Sequence, residues 1–197
     1  MMASKTRVLL DRPTRRAAIL WAAASAFAER GFAGTSMDDV AAAAGITRLI
    51  VYRHFESKEA LYAAVLQDVR DRLAEEGGAG AGRGESVAVR ALLTVGRADA
   101  AGVTLLLRHA AREPQFAWYA DEFREQVIAH AEQLMRIARA PARVRTRWAA
   151  ETLVSFVFDA LLHWLEDGDP AQDQEFLARV DASLPALVAA WSQSSAK

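Results

Sequence analysis

The sequence predicts an all-α protein: an N-terminal three-helix head built around a helix-turn-helix, then a larger helical body, about nine helices in all. Three observations carry that expectation. Ala and Leu dominate the 197 residues while β-branched runs are scarce, a composition that favours helix over strand. Apolar residues recur at three- and four-residue spacing along most of the chain. Gly31, Gly45, Pro114, Pro141 and the Gly168-Asp169-Pro170 triplet punctuate that periodicity where helices should stop.

The first helix is expected from about Pro13 to Arg30. Proline suits a first turn, where its missing N–H is not needed, and Ala17, Ile19, Leu20, Ala24, Phe27 and Ala28 form an apolar stripe. Gly31 follows as a left-handed stop. Thr35 or Ser36 can cap a second, short helix, with Asp38 and Asp39 at its positive end, and Gly45 interrupts it after Val40–Ala44. Thr47 then caps a very short segment, Arg48–Phe55. Ser57 caps a fourth helix, with Leu61, Tyr62, Val65, Leu66, Val69 and Leu73 on its apolar side. Two short helices joined through a glycine and flanked by longer ones outline a helix-turn-helix.

Gly77–Gly84 is the one low-complexity stretch. A glycine-rich phosphate cradle needs a preceding strand, and none is foreseen, so a flexible loop is expected. Beyond it, helices are expected around Ser86–Val95, Asp99–Arg112, Gln115–Arg139, Ala142–Asp167 and Gln172–Trp191. The Ala142–Asp167 helix is apolar on more than one face, and a partner subunit is the natural source of the extra burial. The last helix carries a stripe at Leu177, Val180, Leu184, Leu187, Val188 and Trp191, with Pro185 expected to kink it near Ala182. A two-fold dimer through these two helices follows, with Trp148, Phe158 and Leu162 joining the stripe at the interface.

Charge is unevenly placed. Residues 1–58 hold nine Lys/Arg against five Asp/Glu, a net of +4, whereas residues 59–197 hold fifteen against twenty, a net of −5. A basic head on an acidic body suits a polyanion-binding module attached to a domain that must not bind polyanions. The absence of cysteine excludes a disulfide framework and thiolate metal sites, and neither metal nor cofactor is expected. The polar, basic start lacks a signal peptide's apolar core, and no apolar stretch reaches the roughly 18 to 20 residues of a membrane span. A cytoplasmic protein is expected.

Residues 31–61 read GFAGTSMDDVAAAAGITRLIVYRHFESKEAL. Gly31-Phe32, Thr35-Ser36, Asp39-Val40-Ala41, Ala44-Gly45-Ile46-Thr47, Tyr52, His54-Phe55 and Ser57-Lys58-Glu59-Ala60-Leu61 hold fixed register with one pattern. In them the sequence resembles the tetracycline-repressor (TetR) family of bacterial regulators. The resemblance covers roughly a quarter of the chain; the rest agrees only in helix count. It implies a DNA-binding domain over 1–60 and a ligand-binding, dimerising domain over 61–197. The implied function is a ligand-responsive regulator, read as a repressor, that binds a palindromic operator as a dimer and is released by a small hydrophobic effector.

Physical chemistry assigns candidate roles within the motif. A helix in the major groove must be short, capped and exposed at its first turn. Thr47 is expected to cap it and face a phosphate, and Arg48 can grip a guanine edge in two places. Tyr52 offers a ring for packing and a hydroxyl for phosphate. By comparison with the family, Lys58 and Thr35 are further phosphate candidates. Arg53 and His54 complete the set, His54 as a structural or phosphate-facing residue. The sequence departs from the family at Leu49-Ile50, where a small residue and Thr are common. These side chains either touch thymine methyl groups or pack inside the head, so the operator sequence is not legible.

Two rival functions are weighed against this. An enzyme needs convergent polar residues, but His54, His109, His130 and His163 have no Glu three residues before them. No His-Glu-x-x-His or Gly-x-Ser-x-Gly motif is present. A constitutive dimeric DNA-binding protein would leave most of the chain without a task beyond dimerisation. Aromatic supply suits an effector pocket between the helices of 86–165, lined by several of Trp118, Phe123, His130, Trp148 and Phe156.

Overall fold

The computed structural model describes residues 11–79 and 86–193. Its regular elements are all helical, nine α-helices among the described residues. The chain divides between Val65 and Leu66 into two compact units, each considered by itself below.

In the first unit, α1 (Arg12–Gly34) starts at Asp11, whose carboxylate accepts the Thr14 amide at 2.9 Å. The helix does not stop at Arg30. Gly31 takes φ 72° and ψ 170°, a break that glycine adopts without strain, and one further turn runs on to Gly34. The break frees carbonyl groups, and two side chains answer them. The Thr35 hydroxyl lies 2.8 Å from the Gly31 carbonyl and 3.1 Å from that of Ala26, and Lys58 Nζ donates to the Phe32 carbonyl at 2.9 Å.

Helix α2 (Met37–Ala43) has a reciprocal capping box. The Asp39 amide donates to Ser36 Oγ at 3.2 Å and the Ser36 amide to Asp39 Oδ2 at 2.8 Å. It ends as Gly45 turns left-handed (φ 64°) and the Ile46 amide reaches back to the Ala41 carbonyl at 3.0 Å. Helix α3 (Arg48–Tyr52) has only five residues, and α4 (Lys58–Ala79) begins with the Ala60 amide on Ser57 Oγ at 3.0 Å. The core is a ring of aromatics. Phe27 and Phe32 each meet Tyr62 edge-on, with centroids 4.9 and 5.2 Å apart, around fully buried Ile19, Val40, Val51 and Leu61.

The second unit takes the rest of α4, whose last residues include Gly77 and Gly78. The remainder of the expected glycine-rich loop, residues 80–84, lies outside the described residues. There follow α5 (Ser86–Ala98), α6 (Ala100–Thr104), α7 (Ala117–Ile137), α8 (Arg147–Asp167) and α9 (Asp173–Ser192). The single helix expected over Asp99–Arg112 is instead three pieces: α6, a π-turn at Leu105–His109 and a 3₁₀ turn at Ala110–Arg112. Helix α8 starts at Thr146, whose hydroxyl accepts the Ala149 amide at 3.3 Å, rather than at Ala142. Pro141 disfavours helix at Ala140, and Arg139 turns left-handed (φ 55°). Helix α9 continues unbroken through Pro185, which leaves the Asp181 carbonyl without its helical donor.

Helix α8 is apolar nearly all round because its own chain surrounds it with α5, α7 and α9. Phe158, Leu162, Leu177 and Val180, expected at a subunit interface, are therefore buried within the protomer. Leu184, Leu187, Val188 and Trp191 are half-buried. One polar knot fixes the end of this packing. Asp173 at the start of α9 accepts Arg97 Nη2 from α5 at 2.7 Å and Trp164 Nε1 from α8 at 2.7 Å, and Trp164 stacks on Phe176. Arg97 foremost, then the Trp164 bond, holds the Asp173 carboxyl below its ordinary range.

A second tight point ties α4 to α6. Buried Asp99 caps α6 by accepting the Gly102 amide at 2.8 Å and also accepts Arg72 Nη2 at 2.6 Å. A Cβ on Gly102 would sit 2.4 Å from Asp99 Oδ2 and 2.7 Å from Val69 Cγ2. Gly102→Ala should therefore destabilise the protein by about 1–3 kcal/mol and lower its Tm by several degrees; an unchanged melting curve would show that α4 and α6 separate freely here.

Candidate nucleic-acid interface and body cavity

Helix α3 is held from one side only. Val51 is fully buried and Phe55, just past the helix, nearly so, whereas Thr47, Arg48, Leu49, Tyr52 and Arg53 are all exposed. Leu49, 62% exposed, settles one open alternative: it does not pack inside the head, and Ile50 is half-buried. Thr47 has the extended backbone of a cap residue but makes no side-chain cap bond, so its hydroxyl is not engaged by the helix it precedes.

Two phosphate candidates are placed differently from expectation. Thr35 is only 2% exposed and donates inward to the α1 carbonyls. Lys58 donates to Phe32 and lies 4.3 Å over that ring, so its ammonium closes the α1 break. Their shared cause is the kink at Gly31, which creates carbonyls that need donors.

The electrostatics of this face centre on arginine. Arg48 Nη1 pairs with Asp38 at 2.8 Å while its Nη2 touches the Tyr52 hydroxyl at 3.2 Å; both partners push the guanidinium pKa further up. The pair is exposed on both sides, so water readily replaces it. His54 is held below its ordinary pKa, first by burial and then by the positive charges of Arg12, Arg15 and Arg16 on α1. Asp38 was read from the sequence only as a charge at the start of α2, and these three α1 arginines were not singled out. Their signal is tertiary, since α1 is read there as an apolar stripe.

The second unit contains a cavity of about 1060 Å³ bounded by α4, α5 and α7 and open to solvent along the side where Gln67, Asp71, Gln126, His130 and Ile137 are exposed. Of the five pocket candidates, Phe123 and His130 line it. Trp118 and Trp148 are 51% and 60% exposed, Phe156 is also exposed, and none of the three reaches it. Instead α4 supplies Gln67, Arg70 and Asp71, which the sequence reading did not single out. His109, kept low in pKa first by burial and then by Arg112 and Arg108, stands outside the cavity. Among the described residues no group of three His, Cys, Asp or Glu could hold a metal ion, and no helix is long and apolar enough to cross a membrane.

A short, outward-facing helix presented from a compact three-helix core is the geometry of a helix-turn-helix DNA-binding domain. The model of the family described as bacterial regulatory proteins, tetR family, matches residues 19–65. Two curated relatives share that region. The chain is 44% identical over 64 residues to the HTH-type transcriptional activator FasR of Mycolicibacterium smegmatis, covering 32% of this chain and 29% of FasR. It is 45% identical over 75 residues to the HTH-type transcriptional repressor Rv3405c of Mycobacterium tuberculosis, covering 34% of this chain and 40% of the relative. The matches thus span less than half the length of either protein. A TetR-like transcriptional regulator from Rhodococcus sp. RHA1 shares the fold across 91% of this chain and 96% of its own, with a TM-score of 0.74 at 22% identity. Residues 19–65 match that family's model, and the chain as a whole shares its fold with a TetR-like regulator.

His54 gives a pH signature. Its folded-state pKa is lowered, so the unfolded chain binds the proton more readily. Its contribution is fully present above the unfolded value of about 6.5 and is lost as pH falls below that. Urea unfolding at pH 7.5 and 5.5 should show a larger loss for the native protein than for His54→Gln; equal losses would exclude His54 as the source.

Proposed function

We propose that the protein is a ligand-responsive transcriptional repressor. In this reading a two-fold dimer places its α3 helices about 34–36 Å apart in successive major grooves of a palindromic operator. An effector that binds the body cavity better when the helices are splayed releases the DNA. Helix α4, the continuous element through which the chain passes from one unit to the other, transmits the change. The observation that carries the reading is the outer face of α3: Arg48 and Tyr52 lie together, exposed, on a helix whose inward side chain is fully buried.

Supporting features are the cavity between α4, α5 and α7, open to solvent along one side, and the names of the relatives. Those names include an activator and a repressor; repression is favoured here because it requires only operator occupancy. The proposed roles are base contact for Arg48, methyl contacts for Leu49 and Ile50, and phosphate contacts for Thr47, Tyr52 and Arg53, with Arg12, Arg15 and Arg16 adding to the positive field. A DNA-bound regulator of this kind works in the cytoplasm, and no catalytic role is proposed.

The dimer is proposed through faces that the protomer leaves open on its last two helices. On α8 these are Trp148 and Phe156; on α9 they are small, Ala178, Ala182, Pro185 and Ala189. Large side chains on one helix against small ones on its neighbour suit a self-complementary four-helix packing.

Operators selected from random duplexes provide the test. Arg48→Ala should weaken binding roughly ten- to a hundred-fold and relax sequence preference, whereas Asp38→Asn, which frees Arg48 and removes a carboxylate facing DNA, should tighten it. Phe156→Glu should yield a monomer by light scattering and lose high-affinity binding to the full palindrome. Selection that enriches no sequence would overturn the proposal, and a Phe156→Glu protein that stays dimeric would move the interface elsewhere.

A further inference from the structure

We infer that the body cavity is built for an elongated amphipathic carboxylate, with Arg70 as the group that recognises its head. The inference rests on the reading of that cavity as the effector site and adds the chemical class of the effector. It starts from the distribution of polarity along the walls. Arg70 of α4 pairs with Glu122 of α7 at 2.8 Å and lies over the Tyr119 ring at 5.8 Å. The Gln67–Asp71 turn of α4 is thereby set beside the Phe123–Gln126 turn of α7, and Gln67, Arg70, Asp71 and Gln126 make one polar end. Away from it, α4 contributes Leu73 and Ala74, and α7 contributes Leu134 and Ile137. The α5 wall is apolar throughout. At about 1.5 Å per residue, the α7 wall from Phe123 to Ala138 is roughly 22 Å long. An 80 Å³ apolar crevice sharing Leu92, Val127 and Leu134 with the cavity extends it toward Leu153, Val154 and Val157 of α8.

The head is specified by charge. Among the described residues Arg70 is the one Lys or Arg lining the cavity, its side chain 12% exposed, and a guanidinium fork matches a carboxylate in two parallel bonds. Its present partner, Glu122, is 51% exposed, so this carboxylate can return to water when another takes its place. The second charged group of the lining, Asp71, is engaged by Gln67 Nε2 at 2.7 Å. A ligand carboxylate therefore replaces Glu122 on a nearly buried cation and leaves the charge balance of that end unchanged. An ammonium head has Asp71 alone and meets Arg70 as a repulsion. A neutral head gains no charge-assisted bond and leaves the Arg70–Glu122 pair closed.

Dodecanoate, dodecanol and dodecyltrimethylammonium, each below its micelle concentration, separate these cases by isothermal titration on the full chain. Dodecanoate should bind at least ten-fold tighter than the other two. Arg70→Gln should abolish that preference while dodecanol still binds, which also shows the cavity intact. Arg70→Lys should keep part of the preference, and Glu122→Gln, which removes the competing carboxylate, should strengthen dodecanoate binding several-fold. If dodecanol or the ammonium compound binds as well as dodecanoate, or Arg70→Gln leaves the preference intact, the carboxylate assignment fails while the cavity stands as a binding site. If none of the three binds to any form, the cavity reading itself fails, and the carboxylate with it.

Discussion

A five-residue helix has no independent stability, because nucleation fixes several residues for a single hydrogen bond. Everything in the first unit serves that constraint. Helix α3 is anchored by Val51 from within and Phe55 just beyond it, and the turn before it is set by Gly45 and the Ile46 amide. The capping box of α2, the Arg30–Asp39 pair at 2.7 Å and the Phe27–Phe32–Tyr62 ring hold the floor on which those anchors sit. Because so little of α3 faces inward, nearly all of it can face a duplex.

The same economy explains why Thr35 and Lys58 sit where they do. The Gly31 break kinks the chain one turn before the end of α1, but it strands carbonyl oxygens, and a threonine and a lysine near in space complete them. A motif position shared with a family does not by itself say whether a side chain looks out or in. The hydrogen-bond needs of the local backbone decide that.

Much of the architecture was legible in the residues. Helix starts at Ser36 and Ser57, the stop at Gly45 and the exposed Arg48 follow from capping chemistry and three- to four-residue spacing, which are local. The errors arise where local signals are outweighed. The run Asp99–Arg112 has good helical composition, yet it breaks into α, π and 3₁₀ pieces around the Asp99–Gly102 cap. Helix α8 looked over-apolar for one chain, and only the three-dimensional arrangement shows α5, α7 and α9 covering it. The cavity was expected from aromatic supply, but Trp118, Trp148 and Phe156 stand outside it. Its polar end includes Arg70, which looks like an ordinary solvated position until Glu122 of α7 is seen paired with it.

Trp118 gains a use from its surroundings. Its ring stacks on Tyr119 at 3.7 Å, and Tyr119 lies beneath the Arg70 guanidinium. An indole half open to water, coupled through one aromatic ring to a cation, is sensitive to any change in the field at that cation. Trp118 is thus a built-in optical probe beside the polar end of the cavity, readable by emission once the other four tryptophans are replaced by phenylalanine.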